Sequence, residues 1–177
     1  MPAFTMKVIP CDNSFSDQIL AVFNDAIINS TAIYDYKPRT PQMMAAWFES
    51  KAKGNYPIIG AVAESGELMG FATYGPFRPH PGYKYTVEHS VYVAGKFRGQ
   101  GIGKRLLQEI IAAAREQNYH VMIGVIDSQN TVSIGLHRAF GFQLSGTVRQ
   151  AGFKFGRWLD VEFHQLILET PEQPVDG

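Results

Sequence analysis

Hydrophobic positions along the chain change period several times, and each change predicts an element. From Asp17 to Asn29, Ile19, Val22, Phe23, Ala26 and Ile27 recur every three or four positions, the pattern of a helix with one buried stripe. Pro41 opens a second helix through about Lys53. Thr5 to Ile9 is a short strand, and Ile58 to Glu64 with Glu67 to Gly75 flank Ser65-Gly66 as a hairpin. Thr86 to Val93 alternates, with Val87, His89, Val91 and Val93 on one face and Thr86, Glu88, Ser90 and Tyr92 on the other. From Ile102, the stripe Gly103, Leu106, Leu107, Ile110, Ile111 and Ala114 predicts a helix laid on a sheet. His120 to Ile126 reads as a buried parallel strand. The capping-prone run Asp127-Ser128-Gln129-Asn130 then starts a helix with Val132, Leu136, Ala139 and Phe140 inward, ending at Gly141. With two more strands the order is β, α, α, β, β, β, α, β, α, β, β, an α/β fold in one domain with a fraying tail from Pro171.

The densest chemistry lies between the Thr86 strand and the Ile102 helix, where Arg98, Gly99, Gln100, Gly101, Ile102, Gly103 and Lys104 form a glycine-rich turn. Glycines let backbone approach a ligand closely, and the helix that follows aims unpaired N–H groups at any anion there. A pyrophosphate fits such a cradle. A nucleotide-hydrolysing P-loop needs Gly where Arg98 stands and a hydroxyl residue where Arg105 stands. A dinucleotide fingerprint begun at Gly101 would want Gly or Ala at Leu106. Neither spacing matches.

Composition narrows the classes. The 177 residues suit one core, and sixteen basic residues balance sixteen acidic ones, so phosphate affinity must be local. The balanced charge argues against a nucleic-acid binder, and no apolar run reaches about 20 residues, so a membrane protein is not expected either. The lone Cys11 and the start Met-Pro-Ala-Phe-Thr point to the cytoplasm. Metal binding is not expected, since His80, His89, His120, His137 and His164 show no ligand spacing.

Arg98-x-x-Gly101-x-Gly103 resembles the pyrophosphate loop of the GNAT superfamily of acyl-CoA-dependent N-acetyltransferases. Asn130, Ser133, His137 and Gly141-Phe142 resemble its Asn-x-x-Ala-x-x-x-Tyr-x-x-x-Gly-Phe element, with His at the Tyr position. That substitution, Thr86 to Val93, and Lys154-Phe155-Gly156-Arg157-Trp158-Leu159-Asp160 are similar to the phosphinothricin and methionine sulfoximine acetyltransferase branch. The resemblance runs from about Val8 to Leu168. It implies a mixed, mostly antiparallel twisted sheet of about seven strands with helices on both faces, acetyl-CoA as co-substrate, and a homodimer. It further implies a bulge in the Thr86–Val93 strand whose backbone N–H groups, assigned to Val91 and Val93 beside Tyr92, bind the acetyl carbonyl.

Glu88 is the candidate base. A mid-strand carboxylate between helical layers needs a partner or water, and an ammonium acceptor must lose a proton before it can attack. Structural pairing with His89, Arg78 or Lys84 is the plainer explanation of the same residue. Asn130 and His137, two helical turns apart, share a face; by resemblance Asn130 and Ser133 meet the cofactor arm and His137 protonates the leaving thiolate or orients the acceptor. Arg78, Phe77 and Tyr34 are candidates for binding an oxygen-rich amino acid such as methionine sulfone. Lys154, Arg157 and Trp158 serve either a dimer or a pocket. Peptide N-termini or polyamines as acceptors, and a non-catalytic acyl-CoA sensor, are the alternatives.

Overall fold

The computed structural model describes residues 6–176. Its elements are β1 (Met6–Pro10), α1 (Ser16–Asn29), α2 (Pro41–Lys53), β2 (Ile58–Ala63), β3 (Leu68–Pro76), β4 (Thr86–Val93), α3 (Ile102–Glu116), β5 (Val121–Asp127), α4 (Thr131–Ala139), β6 (Gln143–Lys154) and β7 (Arg157–Ile167). Seven strands form one sheet in the order β1-β2-β3-β4-β5-β7-β6. Neighbours are antiparallel except β4 and β5. The predicted first strand begins at Thr5, which lies outside the described residues.

Two apolar layers sandwich the sheet. On one face Ile19, Val22, Phe23, Ala26 and Ile27 of α1, with Met44 and Phe48 of α2, pack on Ile58, Leu68 and Phe71. On the other, Ile102, Leu106, Leu107, Ile110, Ile111 and Ala114 of α3 pack on Ala61, Met69, Val87 and Met122. Each stripe follows the 3.6-residue period, so each helix buries one side and leaves its charges outside.

Helix α4 departs from expectation. Val132 is 84% exposed and Ala139 is exposed, whereas Ile134 and His137 are buried and Leu136 and Phe140 are half-buried. The imidazole takes an inward position that an aliphatic residue usually holds, which rotates the buried stripe. Strand β5 pairs in parallel with β4 over three residues, but along its other edge it is antiparallel to β7. In the tail, Val175 N–H donates to the Tyr85 hydroxyl at 3.1 Å.

Candidate active site

The site begins where two strands part. Strand β4 pairs with β5 at Thr86↔Val121, Val87↔Met122 and Glu88↔Ile123, and the ladder stops there. Against β3 its register is unbroken from Pro76↔Val87 to Gly70↔Val93. The expected bulge in β4 is therefore absent; register shifts fall instead at Ala61/Val62 and in β6. The strands open without an inserted residue, because β4 keeps β3 while β5 follows β7.

Hydrogen bonds at the two ends of the β3–β4 ladder fix where the β4 amides point. Ala94 N–H donates to the Met69 carbonyl at 2.9 Å, and Phe77 N–H to the Thr86 carbonyl at 3.4 Å. In an antiparallel ladder such pairs alternate, so the Val91 and Val93 amides face the β5 side, into the opening, whereas the Tyr92 amide belongs to β3. The Tyr92 ring packs edge-on to Phe23 at 5.4 Å, within the α1 layer.

The glycine turn lies directly after β4. A 3-10 turn at Gly95–Phe97 leads into Gly99 (φ 78) and Gly101 (φ 80), and Gly101 caps α3 without a side-chain hydrogen bond. These left-handed conformations favour glycine, and a Cβ at either position would meet nothing within 4 Å. Arg105 N–H bonds the Gly101 carbonyl at 3.1 Å. The N–H groups of Ile102, Gly103 and Lys104 in the first turn thus lack helical acceptors and form an open cradle. The Ile102 side chain is buried and Lys104 is exposed. A Cβ on Gly103 would sit in ordinary contact with Leu136 (3.6 Å) and Val93 (3.7 Å), so this glycine joins α3 to β4 and α4. The Arg98 side chain turns away from the cradle, donating to Asp25 at 3.1 Å and to the Val93 carbonyl at 3.2 Å. The Gln100 amide donates to the Lys96 carbonyl at 3.3 Å.

On the α1–α2 face of β4, Glu88 is half-buried and makes no side-chain hydrogen bond among the described residues. Burial raises its carboxyl above the usual range, and Arg78 partly offsets that rise. Of the three partners considered for it, Arg78 is the one whose charge acts on Glu88, and His89 lies on the opposite face. Arg78 stacks 4.3 Å over the Phe77 ring and donates to the Phe77 carbonyl at 2.9 Å. It lines a cavity of 290 Å³ with Tyr83, Lys84 and Tyr119. The larger cavity, 790 Å³, lies along β1 and α2 and contains none of the candidate residues.

Tyr34 sits elsewhere in the molecule. Its ring covers Gly152, where a Cβ would come within 2.4 Å of it; burial and Asp127 raise its hydroxyl, with Arg157 opposing. The surrounding loop is tied to the end of β6. Lys154 is buried, and its ammonium donates to the carbonyls of Ile27 (2.6 Å), Ser30 (2.9 Å) and Ile33 (2.6 Å). Tyr36 donates to the Phe153 carbonyl at 2.8 Å. Thr31 donates to the buried carboxylate of Asp127 at 2.5 Å, and Arg157 stands 3.8 Å from the same oxygen. Lys154 is a loop anchor. Trp158, 59% exposed, lies at the surface of the hairpin against Phe153.

Across the sheet, Asn130 caps α4 by accepting from Ser133 N–H at 3.1 Å. His137 Nδ1 stands 2.7 Å from the Ser133 carbonyl and 3.4 Å from Ser133 Oγ. Its Nε2 meets Nε2 of His89 at 2.9 Å, and His89 Nδ1 donates to the Ile123 carbonyl at 2.8 Å. Gly124 makes room for the pair, since a Cβ there would stand 2.9 Å from His89 Cε1. Burial lowers the His137 imidazole and pushes His89 down to about 3. The pairing was not evident from sequence; the available signal was one histidine on a valine face pointing toward the helix that carries His137.

The chain matches the Acetyltransferase (GNAT) family over residues 24–142 and belongs to that family. It is 50% identical over 151 residues to the L-methionine sulfoximine/L-methionine sulfone acetyltransferase of Pseudomonas aeruginosa, covering 85% of this chain and 88% of the relative. It superposes on a solved protein of Acinetobacter baylyi ADP1 with a TM-score of 0.98 at 53% identity, covering 100% and 99% of the two chains. The phosphinothricin acetyltransferase of Sinorhizobium meliloti, solved with AcCoA, gives a TM-score of 0.92 at 34% identity, covering 98% and 95%. The protein is an acetyl-CoA-dependent N-acetyltransferase. Its glycine cradle, open where a Cβ would stand at Gly99 and Gly101, has room for the diphosphate of that co-substrate.

Proposed function

We propose that this chain, acting as a single domain, acetylates the α-amino group of methionine sulfone, methionine sulfoximine or phosphinothricin. The observation that carries the proposal is the parting of β4 from β5 beside Glu88, with the glycine cradle at the far end of the same strand. Bound acetyl-CoA supplies an activated acetyl carbonyl and a thiol leaving group. The amides of Gly99 through Lys104 hold the diphosphate, and Asn130 and Ser133 line the arm that leads inward. Glu88 takes the proton from the substrate ammonium, directly or through water. Its raised affinity for protons suits that exchange. The Val91 and Val93 amides stabilise negative charge developing on the acetyl oxygen. His137 returns a proton to the sulfur. Cys11, pushed up to about 11 by burial and Asp12, stays a thiol, which agrees with direct attack rather than an acyl-enzyme.

Arg78 on Phe77 offers a cation for the acceptor's carboxylate or its oxygen-rich side group, and Tyr34 forms part of the wall. Strand β6 supports the homodimer: it is a long sheet edge, almost wholly exposed, that presents Leu144, Val148 and Phe153. A cytoplasmic site agrees with the free Cys11, and among the described residues no helix is long and apolar enough to cross a membrane. A substrate panel with acetyl-CoA and a thiol reporter tests the proposal. Turnover of free methionine sulfone is expected; turnover confined to peptides or polyamines, or coenzyme binding without turnover, would overturn it.

A further inference from the structure

The contact between His89 and His137 sets a hydrogen-counting problem with one economical answer. A carbonyl oxygen only accepts, so the Ile123 carbonyl, 2.8 Å from His89 Nδ1, requires a hydrogen on that nitrogen. Neutral His89 then has a bare Nε2, which also can only accept. The atom facing it at 2.9 Å, His137 Nε2, must bring the hydrogen. His137 Nδ1 is left as the atom whose proton comes and goes. By the same count the Ser133 carbonyl, 2.7 Å from Nδ1, requires a hydrogen there, so the geometry seen is that of the charged ring; when Nδ1 is bare the ring must turn from the carbonyl toward the Ser133 hydroxyl, now at 3.4 Å.

We propose that His89 is a positioning residue: locked by the Ile123 carbonyl, it holds His137 as the Nε2–H tautomer, so that Nδ1, on the Ser133 side, is where His137 gains and loses its proton. This rests on the reading of His137 as the donor to the departing sulfur. In that step the Nδ1 proton passes to sulfur as the bond from sulfur to the acetyl carbon breaks, and His137 is left neutral with its Nε2–H still on His89. Without His89, neutral His137 would favour Nδ1–H, bonded to its own helix carbonyl, and the acidic proton would sit at the wrong nitrogen.

The surroundings decide which ring carries charge. Burial and the neighbouring His137 push His89 down to about 3, so it is the neutral partner. Burial also lowers His137, but the Ser133 carbonyl opposes that and favours its charged form. From β7, His164 bears on His137; it is fully buried and donates to Glu162 at 2.7 Å. Phe142 covers both rings at 5.0 and 5.4 Å. Glu88 lies on the opposite face of the sheet.

Nuclear magnetic resonance of the 15N-histidine-labelled free protein tests the proposal without turnover. At high pH, His137 should show a protonated Nε2 and a bare Nδ1, and on acidification Nδ1 of His137 should titrate while His89 stays neutral. In His89→Leu the neutral His137 ring should switch to Nδ1–H, and its proton affinity should fall by about tenfold, since the charged form loses an acceptor. His89→Gln should restore both, because its amide can donate to Ile123 and its carbonyl accept from His137. An Nδ1–H tautomer of neutral His137 in the wild type, first protonation on His89, or an unchanged His137 in His89→Leu would overturn the proposal. Should His89→Leu not fold, the wild-type spectrum decides. Turnover by His137→Phe separately tests the donor role: full activity there removes that role, whereas the spectrum alone judges the tautomer.

Discussion

Replacing Lys154 with Met keeps the volume and the stem but removes three donors at once. The ammonium spends all three hydrogens on the carbonyls of Ile27, Ser30 and Ile33, spanning the last turn of α1 and the loop that carries Tyr34 and Tyr36. Hydrogen bonds to a charged group contribute about 1.5–3 kcal/mol each, but the buried ammonium has already lost its hydration and Ser30 is only half-buried, so simple addition overstates the loss. Removing the ammonium leaves no charge behind but strands its carbonyl acceptors, each costing about 1–3 kcal/mol when buried, and we take about 3–5 kcal/mol in all as the expected destabilisation. For a chain of this length each kcal/mol lowers Tm by about 2–4 °C. Lys154→Met should therefore melt roughly 6–20 °C lower, and hydrogen exchange should quicken in residues 30–40 before it quickens in α3. Urea unfolding followed by circular dichroism measures the first effect and mass-resolved exchange the second. A loss below about 1 kcal/mol, the scale of an exposed ion pair, would refute the reasoning and return Lys154 to the dimer or pocket roles considered from its sequence.

Three further outcomes follow from the same geometry. Glu88→Gln should lower kcat/KM by about 10²–10⁴-fold and yet stabilise the fold at neutral pH. A carboxyl raised above its unfolded value gives stability at low pH that is lost as pH rises through its folded pKa, so the melting gain of the Gln variant should vanish under acid. Wild-type kcat/KM should also fall as pH drops through the raised Glu88 pKa, because the protonated carboxyl cannot accept the ammonium proton; a Gln variant with wild-type activity contradicts the assignment. Gly101→Val forces a β-branched residue into a left-handed conformation at a cost of about 1–2 kcal/mol, and should weaken coenzyme A binding in calorimetry far more than it lowers Tm; unaltered affinity would remove the cradle. Cys11→Ala should leave turnover within about twofold, because a thiol held at about 11 is not ionised at neutral pH; its inactivation would revive an acyl-enzyme.

How far the sequence reached depended on whether a pattern had one physical cause. The α3 stripe from Leu106 to Ala114 was readable because burial alone sets it, and the Gly99 and Gly101 conformations because few other residues adopt them. Helix α4 was misread at Val132 and Ala139, since hydropathy counts His137 as polar while packing buries it. The parting of β4 and β5 is a property of strand partners distant in sequence, so a local bulge was expected where the ladder simply ends. The contacts of His89 and Asp127 were unreadable for a related reason. Their partners, His137 and Thr31, lie 48 and 96 positions away, and each residue in isolation looks like an ordinary strand or cap position.

The central claim is that acetyl-CoA lies with its diphosphate on the first turn of α3 and its thioester between β4 and β5. The most direct measurement is amide chemical-shift mapping as acetyl-CoA is titrated into the 15N-labelled protein. The account predicts the largest changes at Gly99 through Lys104 and at Val91 and Val93, with β1 and α2 quiet. Changes concentrated instead on Cys11, Lys51 and Tyr56, around the 790 Å³ cavity, would contradict it.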